Sequence, residues 1–284
     1  MVNFGKLLEV DVSTDLYSRR LGDCCAMCIF ARMETSYTMK TRRTVRAYTD
    51  KALDQALLDD LLESAFRASN TGNMQAYAVI VTRDQARKEA MAPMHFNQPQ
   101  VKQAPVVLTF CVDFNRITRW CEQRQAEPGF DTVQSFTYGA IDTIIAAQAF
   151  CAAAEDKGLG ICYLGTTTYN AGPLCELLEL PPLVVPLTTI TVGYPAETAM
   201  SGPLSDRLPM EGVVHEEVYH DFTPEVIDRV YGPKEALPEN QQFVTINQRS
   251  TLAQVYAGIR YTKADNQRFS QAWIDVLRKQ GYLD

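Results

Sequence analysis

Between residues 54 and 68, Leu57, Leu58, Leu61, Leu62, Ala65 and Phe66 fall on i, i+4, i+8 stripes, leaving the other face polar. That pattern predicts an amphipathic helix. It breaks into Ser69-Asn70-Thr71-Gly72-Asn73-Met74-Gln75, a polar loop with Gly at its centre. The run Tyr77-Ala78-Val79-Ile80-Val81-Thr82 then predicts a buried strand, and residues 105–113, rich in β-branched and apolar side chains, predict a second. Residues 133–156 make the longest helical stretch. Phe136, Ile141, Ile144, Ile145, Phe150 and Cys151 leave it apolar on most of its circumference, as befits a central helix or a subunit interface. Gly158 and Gly160 are expected to end it. Residues 161–164 and 184–193 read as two more strands, the latter closed by Gly193-Tyr194-Pro195.

Beyond Pro195 the texture changes. Residues 197–248 carry many Pro and Gly and predict only short helical pieces. A last pair of helices is expected over 251–259 and 263–280, the second stopped by Gly281. Few strands with helices on both faces make an α+β chain, without repeats or low-complexity tracts.

Composition narrows the class. The chain has 284 residues, 46% apolar and 21% charged, the balance of an ordinary soluble protein. A net charge of -7 argues against broad binding to nucleic acid or an anionic membrane. No uninterrupted apolar run reaches the roughly 18 residues that a membrane span needs. A soluble, cytoplasmic protein is therefore expected, with no nucleic-acid or membrane partner.

Eight cysteines are present. Cys111, Cys121, Cys151, Cys162 and Cys175 stand singly in apolar surroundings, where a reduced thiol is the default. Cys24, Cys25 and Cys28 cluster as half of a zinc-like pattern, but no second pair or His follows at ligand spacing, so no metal is expected. Residues 1–32 form a leader without the order of a signal peptide.

Against the acidic background stands Arg42-Arg43-Thr44-Val45-Arg46. Guanidinium groups bind phosphate oxygens bidentately, and a hydroxyl adds a directed donor. The cluster reads either as an anion site or as a solvated basic turn. The only histidines, His95, His215 and His220, have no partner at catalytic spacing, and no Ser-His-Asp or Cys-His arrangement is evident.

Five segments in order, 42–46, 69–75, Gly158-Leu159-Gly160-Ile161-Cys162-Tyr163-Leu164-Gly165, Gly193-Tyr194-Pro195 and Arg207-Leu208-Pro209, resemble the FMN-dependent nitroreductase family. The resemblance spans about residues 36–220, and each motif is specific only as part of the set. It implies the nitroreductase fold, a small central β-sheet flanked by helices, in an intertwined homodimer with two interfacial sites. Residues 33–200 would be the FMN-binding core and 201–284 an extension completing the site and the dimer.

The resemblance further implies that Arg42, Thr44 and Arg207 hold the FMN phosphate, with Arg43 along the ribityl chain and phosphate. Arg46 would meet the pyrimidine edge of the ring. Ser69, Asn70, Thr71 and Asn73 would reach the flavin of the neighbouring subunit, and Asn97 or Gln98 would set an amide against the ring. Tyr163, Leu164, Gly165 and Thr166 would cover one ring face, with the backbone of Gly165 and Thr166 near N5; no side chain is expected to act as a chemical catalyst. NADH or NADPH would be the donor, and nitroaromatics, quinones or free flavin the acceptors. Arg249 and Arg260 are candidates for a 2′-phosphate contact or plain solvated charges. Other redox chemistry of the fold (dehalogenation or dehydrogenation) and a flavin-binding module without turnover are the competing readings. The chain departs from the family where a Lys often precedes the residue matching Arg207 by two positions: here Ser205 and Asp206 precede it.

Overall fold

The computed structural model of the protein describes residues 35–284. The leader and the cluster of Cys24, Cys25 and Cys28 lie outside the described residues. In chain order, α1 (Thr35–Thr41) and α2 (Gln55–Phe66) precede β1 (Tyr77–Thr82), and α3 (Gln85–Met91) and α4 (Pro99–Gln103) precede β2 (Val106–Asp113). Next come α5 (Asn115–Gln123), α6 (Val133–Asp156), β3 (Gly160–Leu164), α7 (Ala171–Leu177) and β4 (Val184–Gly193). The tail holds α8 (Pro224–Glu235), α9 (Pro238–Ile246), α10 (Leu252–Val255) and α11 (Lys263–Lys279).

The strands form one sheet in the order β1-β2-β4-β3, every neighbour antiparallel. Strand alternation divides the core between the two faces. Val106, Leu108 and Phe110 of β2 pack with Leu58 and Leu61 of α2 and Phe150 of α6. Val107 joins Met91, Val101 and Leu174 from α3, α4 and α7 on the other side. A third cluster brings Val276, Leu277 and Tyr282 of the C-terminal end against Val112 and Phe114. The tail is thus packed into the same core, and the described residues form one compact unit.

Local chemistry sets the ends of the main helices. Asp54 caps α2 by accepting from the N–H groups of Ala56 and Leu57, and Thr132 caps α6 by accepting from Ser135 N–H. Gly158, at φ 75, takes the left-handed turn that stops α6. Gly160 has a different task from the expected helix stop: it opens β3. The tail is more helical than its Pro and Gly content predicts, because Pro224 and Pro238 sit at helix starts and Pro233 falls in the last turn of α8. The helix expected at 251–259 tightens only as α10 and then widens into a π-turn, Tyr256–Arg260.

Among the described residues, α6 is the one helix long and apolar enough to cross a membrane by length and composition. Here it is the central helix: Ala147, Phe150, Cys151 and Ala154 are buried against the sheet, and Asp142 and Glu155 are buried polar anchors. Its other side keeps Ile141, Ile144 and Ile145 exposed.

Candidate active site

The arginine segment is fastened to the sheet. Val45 N–H donates to Ile161 O at 2.9 Å, and Thr44 bridges Ile161 in parallel. Val45 is buried at the junction, and a Cβ on Gly160 would lie 2.6 Å from the Val45 Cβ. No side chain fits between them. The segment 42–46 therefore lies against the strand that ends at Leu164 and Gly165.

From that anchor the three arginines diverge. Arg42 is tied down: its Nε donates to both carboxylate oxygens of Glu155, each at 3.0 Å. Burial raises the Glu155 carboxyl above the usual range, and Arg42 opposes the rise. The Arg43 guanidinium donates to the carbonyls of Ser201 (3.0 Å) and Gly202 (3.3 Å), joining the cluster to the segment that leads to Arg207. Arg46 is exposed and its charge lies beside Cys162, whose thiol is pushed up by burial and pulled back chiefly by Arg46.

Arg207 stands apart. Its guanidinium folds onto the carbonyls of Ser205 (3.2 Å) and Asp206 (2.7 Å). The cation that the sequence lacks two positions earlier has a spatial neighbour instead: Lys234 of α8 reaches Asp206 at 2.7 Å. That hydrogen bond raises the Lys234 amine, against burial and a smaller opposing effect of Arg207.

The loop 69–75 is built around a buried carboxylate. Asp142 of α6 accepts from Thr71 N–H with both oxygens and from the Thr71 hydroxyl, all at 3.0 Å. Asn70 turns inward, its Oδ1 accepting from Gln75 N–H at 3.2 Å. Ser69 and Asn73 face solvent, and Gly72 and Asn73 adopt left-handed backbone at φ 56 and 55.

Near Cys162 of β3, whose sulfur accepts from Gln100 Nε2 at 3.9 Å, the two amide candidates differ. Asn97 is exposed, whereas the Gln98 Oε1 is taken by Gln100 Nε2 at 2.8 Å. Tyr163 points toward α6, donating to Gln148 Oε1 at 3.4 Å, and Leu164 is buried. Gly165 is exposed with open space where its Cβ would stand. Thr166 is half-buried, and its hydroxyl lies 2.8 Å from Nδ1 of the buried His95.

A model of the nitroreductase family matches residues 39–194, more than half of the chain. The chain belongs to the nitroreductase family. Among its relatives is the FMN reductase [NAD(P)H] of Bacillus subtilis (strain 168), 37% identical over 191 residues, or 66% of this chain and 74% of that protein. The oxygen-insensitive NADPH nitroreductase of Salmonella typhimurium is 33% identical over 187 residues, covering 66% and 75% of the two chains. A solved structure from Bacteroides fragilis NCTC 9343 is 55% identical with a TM-score of 0.85, covering 87% of this chain and 100% of that one. A nitroreductase from B. subtilis superposes with a TM-score of 0.77 at 28% identity, over 88% and 99% of the chains.

The structure of this nitroreductase brings 42–46 against Gly160 and Ile161 at the start of β3 and, through Arg43, against Ser201 and Gly202, a segment outside the five motifs read from the sequence. It does not carry the Arg207 side chain to them. Glu155, Asp142 and His95 are site neighbours that the sequence did not reveal, and Lys234 neighbours the Arg207 segment alone. Two had a visible signal: Asp142 and Glu155 are acids within the most apolar helix of the chain, where an unpaired charge is too costly to keep. Arg260, one of the two 2′-phosphate candidates, rests on the rings of Phe243 and Tyr256. Arg249 approaches the same π-turn at Gly258.

Proposed function

We propose that the protein is an FMN-dependent oxidoreductase that takes electrons from NADH or NADPH and reduces small electron-poor acceptors such as nitroaromatics, quinones or free flavin. The observation that carries this reading is the docking of 42–46 onto β3, where Gly160 leaves room for nothing larger than hydrogen. It sets a cationic, hydroxyl-bearing segment against the start of β3, the strand that leads at its other end to Gly165, where a Cβ would meet open space.

The residues fit the cofactor. A dianionic phosphate needs guanidinium and hydroxyl donors, and Arg42 keeps both Nη groups without a partner among the described residues while Glu155 fixes its Nε. Arg42, Arg43 and Thr44 would hold the phosphate and ribityl chain. Arg207 and Arg46 would close over the phosphate and the pyrimidine edge; a cation at that edge favours negative charge there. Tyr163, Leu164, Gly165 and Thr166 would line one face of the ring. Ser69, Asn70, Thr71 and Asn73, with Asn97 or Gln98, would complete the envelope. Bound FMN supplies the two-electron carrier between nucleotide and acceptor.

The homodimer is part of the same proposal, supported by two apolar exposures. One is the Ile141, Ile144 and Ile145 side of α6; the other is the stretch holding Met210, Val213, Val218 and Tyr219. Residues 201–284 would complete the site and the dimer, as the Arg43 bonds to Ser201 and Gly202 suggest. A cytoplasmic enzyme accords with the free state of Cys111, Cys121, Cys151, Cys162 and Cys175.

Mass spectrometry of the cofactor released from purified protein tests the proposal. FMN near one per chain is expected, and FAD, or no uptake of FMN on reconstitution, would refute it.

A further inference from the structure

His95 is completely buried, in a turn that its own backbone helps to close. The two residues after it, Phe96 and Asn97, are both left-handed at φ 53 and 54, a costly conformation for non-glycine residues. Asn97 N–H donates to Ala92 O at 2.8 Å and Gln98 N–H to His95 O at 3.1 Å, which holds the turn and the imidazole with it. The ring has one polar neighbour among the described residues: Nδ1 lies 2.8 Å from Thr166 Oγ1, and Nε2 is buried without a partner.

That asymmetry selects a tautomer. Burial holds the ring far below its ordinary pKa, at about 4, so it is neutral near pH 7 and carries one N–H. A proton on Nε2 would be an orphaned buried donor, and Thr166 would have to spend its hydroxyl proton on Nδ1. A proton on Nδ1 is satisfied by Thr166 Oγ1 and leaves only a bare lone pair at Nε2. Buried orphan N–H groups are the rarer and costlier case, so the second arrangement is preferred. The Thr166 hydroxyl proton is then free to point away from His95, on a half-buried residue that follows the exposed Gly165.

We infer that His95 is a positioning residue: its Nδ1–H donates to Thr166 Oγ1 and holds the Thr166 hydroxyl outward as a hydrogen-bond donor to the FMN ring. This rests on the proposed function, which puts the ring beside Gly165 and Thr166. Because His95 itself is sealed from solvent, it acts on the ring only through Thr166.

Nitrogen-15 NMR of histidine-labelled, FMN-loaded protein reads the tautomer directly, and an Nδ1–H ring is expected for His95. Stopped-flow reduction by NADPH or NADH, whichever bleaches the wild type, then compares four variants: His95→Leu, His95→Asn, Thr166→Val and the double variant His95→Leu/Thr166→Val. Loss of one neutral hydrogen bond should slow His95→Leu and Thr166→Val by roughly two- to tenfold. The double variant should be no slower than Thr166→Val, since one contact is removed twice. Asn presents a donor near the Nδ1 position, so His95→Asn should retain most of the rate. An Nε2–H tautomer, or multiplying effects in the double variant, would overturn the inference. Should His95→Leu fail to fold, the tautomer and the Thr166→Val rate decide: an Nδ1–H ring with a slowed variant supports it, and either result reversed overturns it. Wild-type protein that binds no FMN would refute the proposed function and this inference together, whereas flavin-loaded protein with an Nε2–H ring would refute this one alone.

Discussion

The Glu155 side chain is 7% exposed and meets a single cation, Arg42, among the described residues. Removing that partner strands a carboxylate in a site where burial already disfavours its charge. Arg42→Ala should therefore destabilise the fold by on the order of 3 kcal/mol. Arg42→Ala/Glu155→Ala should recover part of the loss, because the orphaned charge goes too. Urea unfolding of the three proteins checks both; equal stability of wild type and Arg42→Ala would show that the pair is inert. His95 makes a second demand at this scale. Its folded pKa of about 4 lies below the ordinary 6.5, so the unfolded chain takes up a proton that the folded one refuses. The sign is a loss of stability as pH falls from 6.5 to 4, with no contribution above that window. Relative to His95→Asn, the wild type should lose up to roughly 3 kcal/mol across it, read by denaturant midpoints at several pH values; parallel curves would contradict the burial argument.

At the scale of elements, the contact between β3 and the arginine segment is the tightest joint of the site. Gly160→Ala puts a methyl carbon 2.6 Å from the Val45 Cβ, so the two backbones must part. FMN affinity should fall by about tenfold or more, the equivalent of one lost charge-assisted contact. Titration of apoprotein measures this, and unchanged affinity would move the phosphate site elsewhere. The element also shows what sequence reveals. α2, α6, β1 and β4 follow from strong periodicity and end within about two residues of expectation. α3, α4 and α7 do not, since they run 5 to 7 residues and owe their burial to the sheet. Lys88 shows why: it reads as a surface lysine, yet it is buried and donates to Ala104 O at 2.8 Å. The site divides the same way. Its Arg, Gly and Asn/Ser segments are local patterns, whereas Thr71–Asp142 and Arg42–Glu155 join residues 71 and 113 positions apart, so the acids stand out in their apolar helix but their partners do not.

For the whole molecule, α6 is the element through which the proposed dimer would join the sheet. Its buried side carries Asp142, which holds the 69–75 loop, and its outer side carries Ile141, Ile144 and Ile145. A dimer sealed there would fix the loop and the interface through one helix. Ile144→Glu should convert dimer to monomer in light scattering and reduce FMN occupancy with it. A monomeric wild type holding one FMN per chain with full activity would show that the shared site is wrong. With or without a shared interface, this chain moves electrons from a nicotinamide nucleotide through FMN. Anaerobic titration of the purified, FMN-loaded protein with NADPH, and separately with NADH, checks that transfer at the flavin itself. At least one nucleotide should bleach the flavin absorbance at about one equivalent per site, and a nitroaromatic or quinone should restore it. A flavin that neither nucleotide bleaches would contradict it.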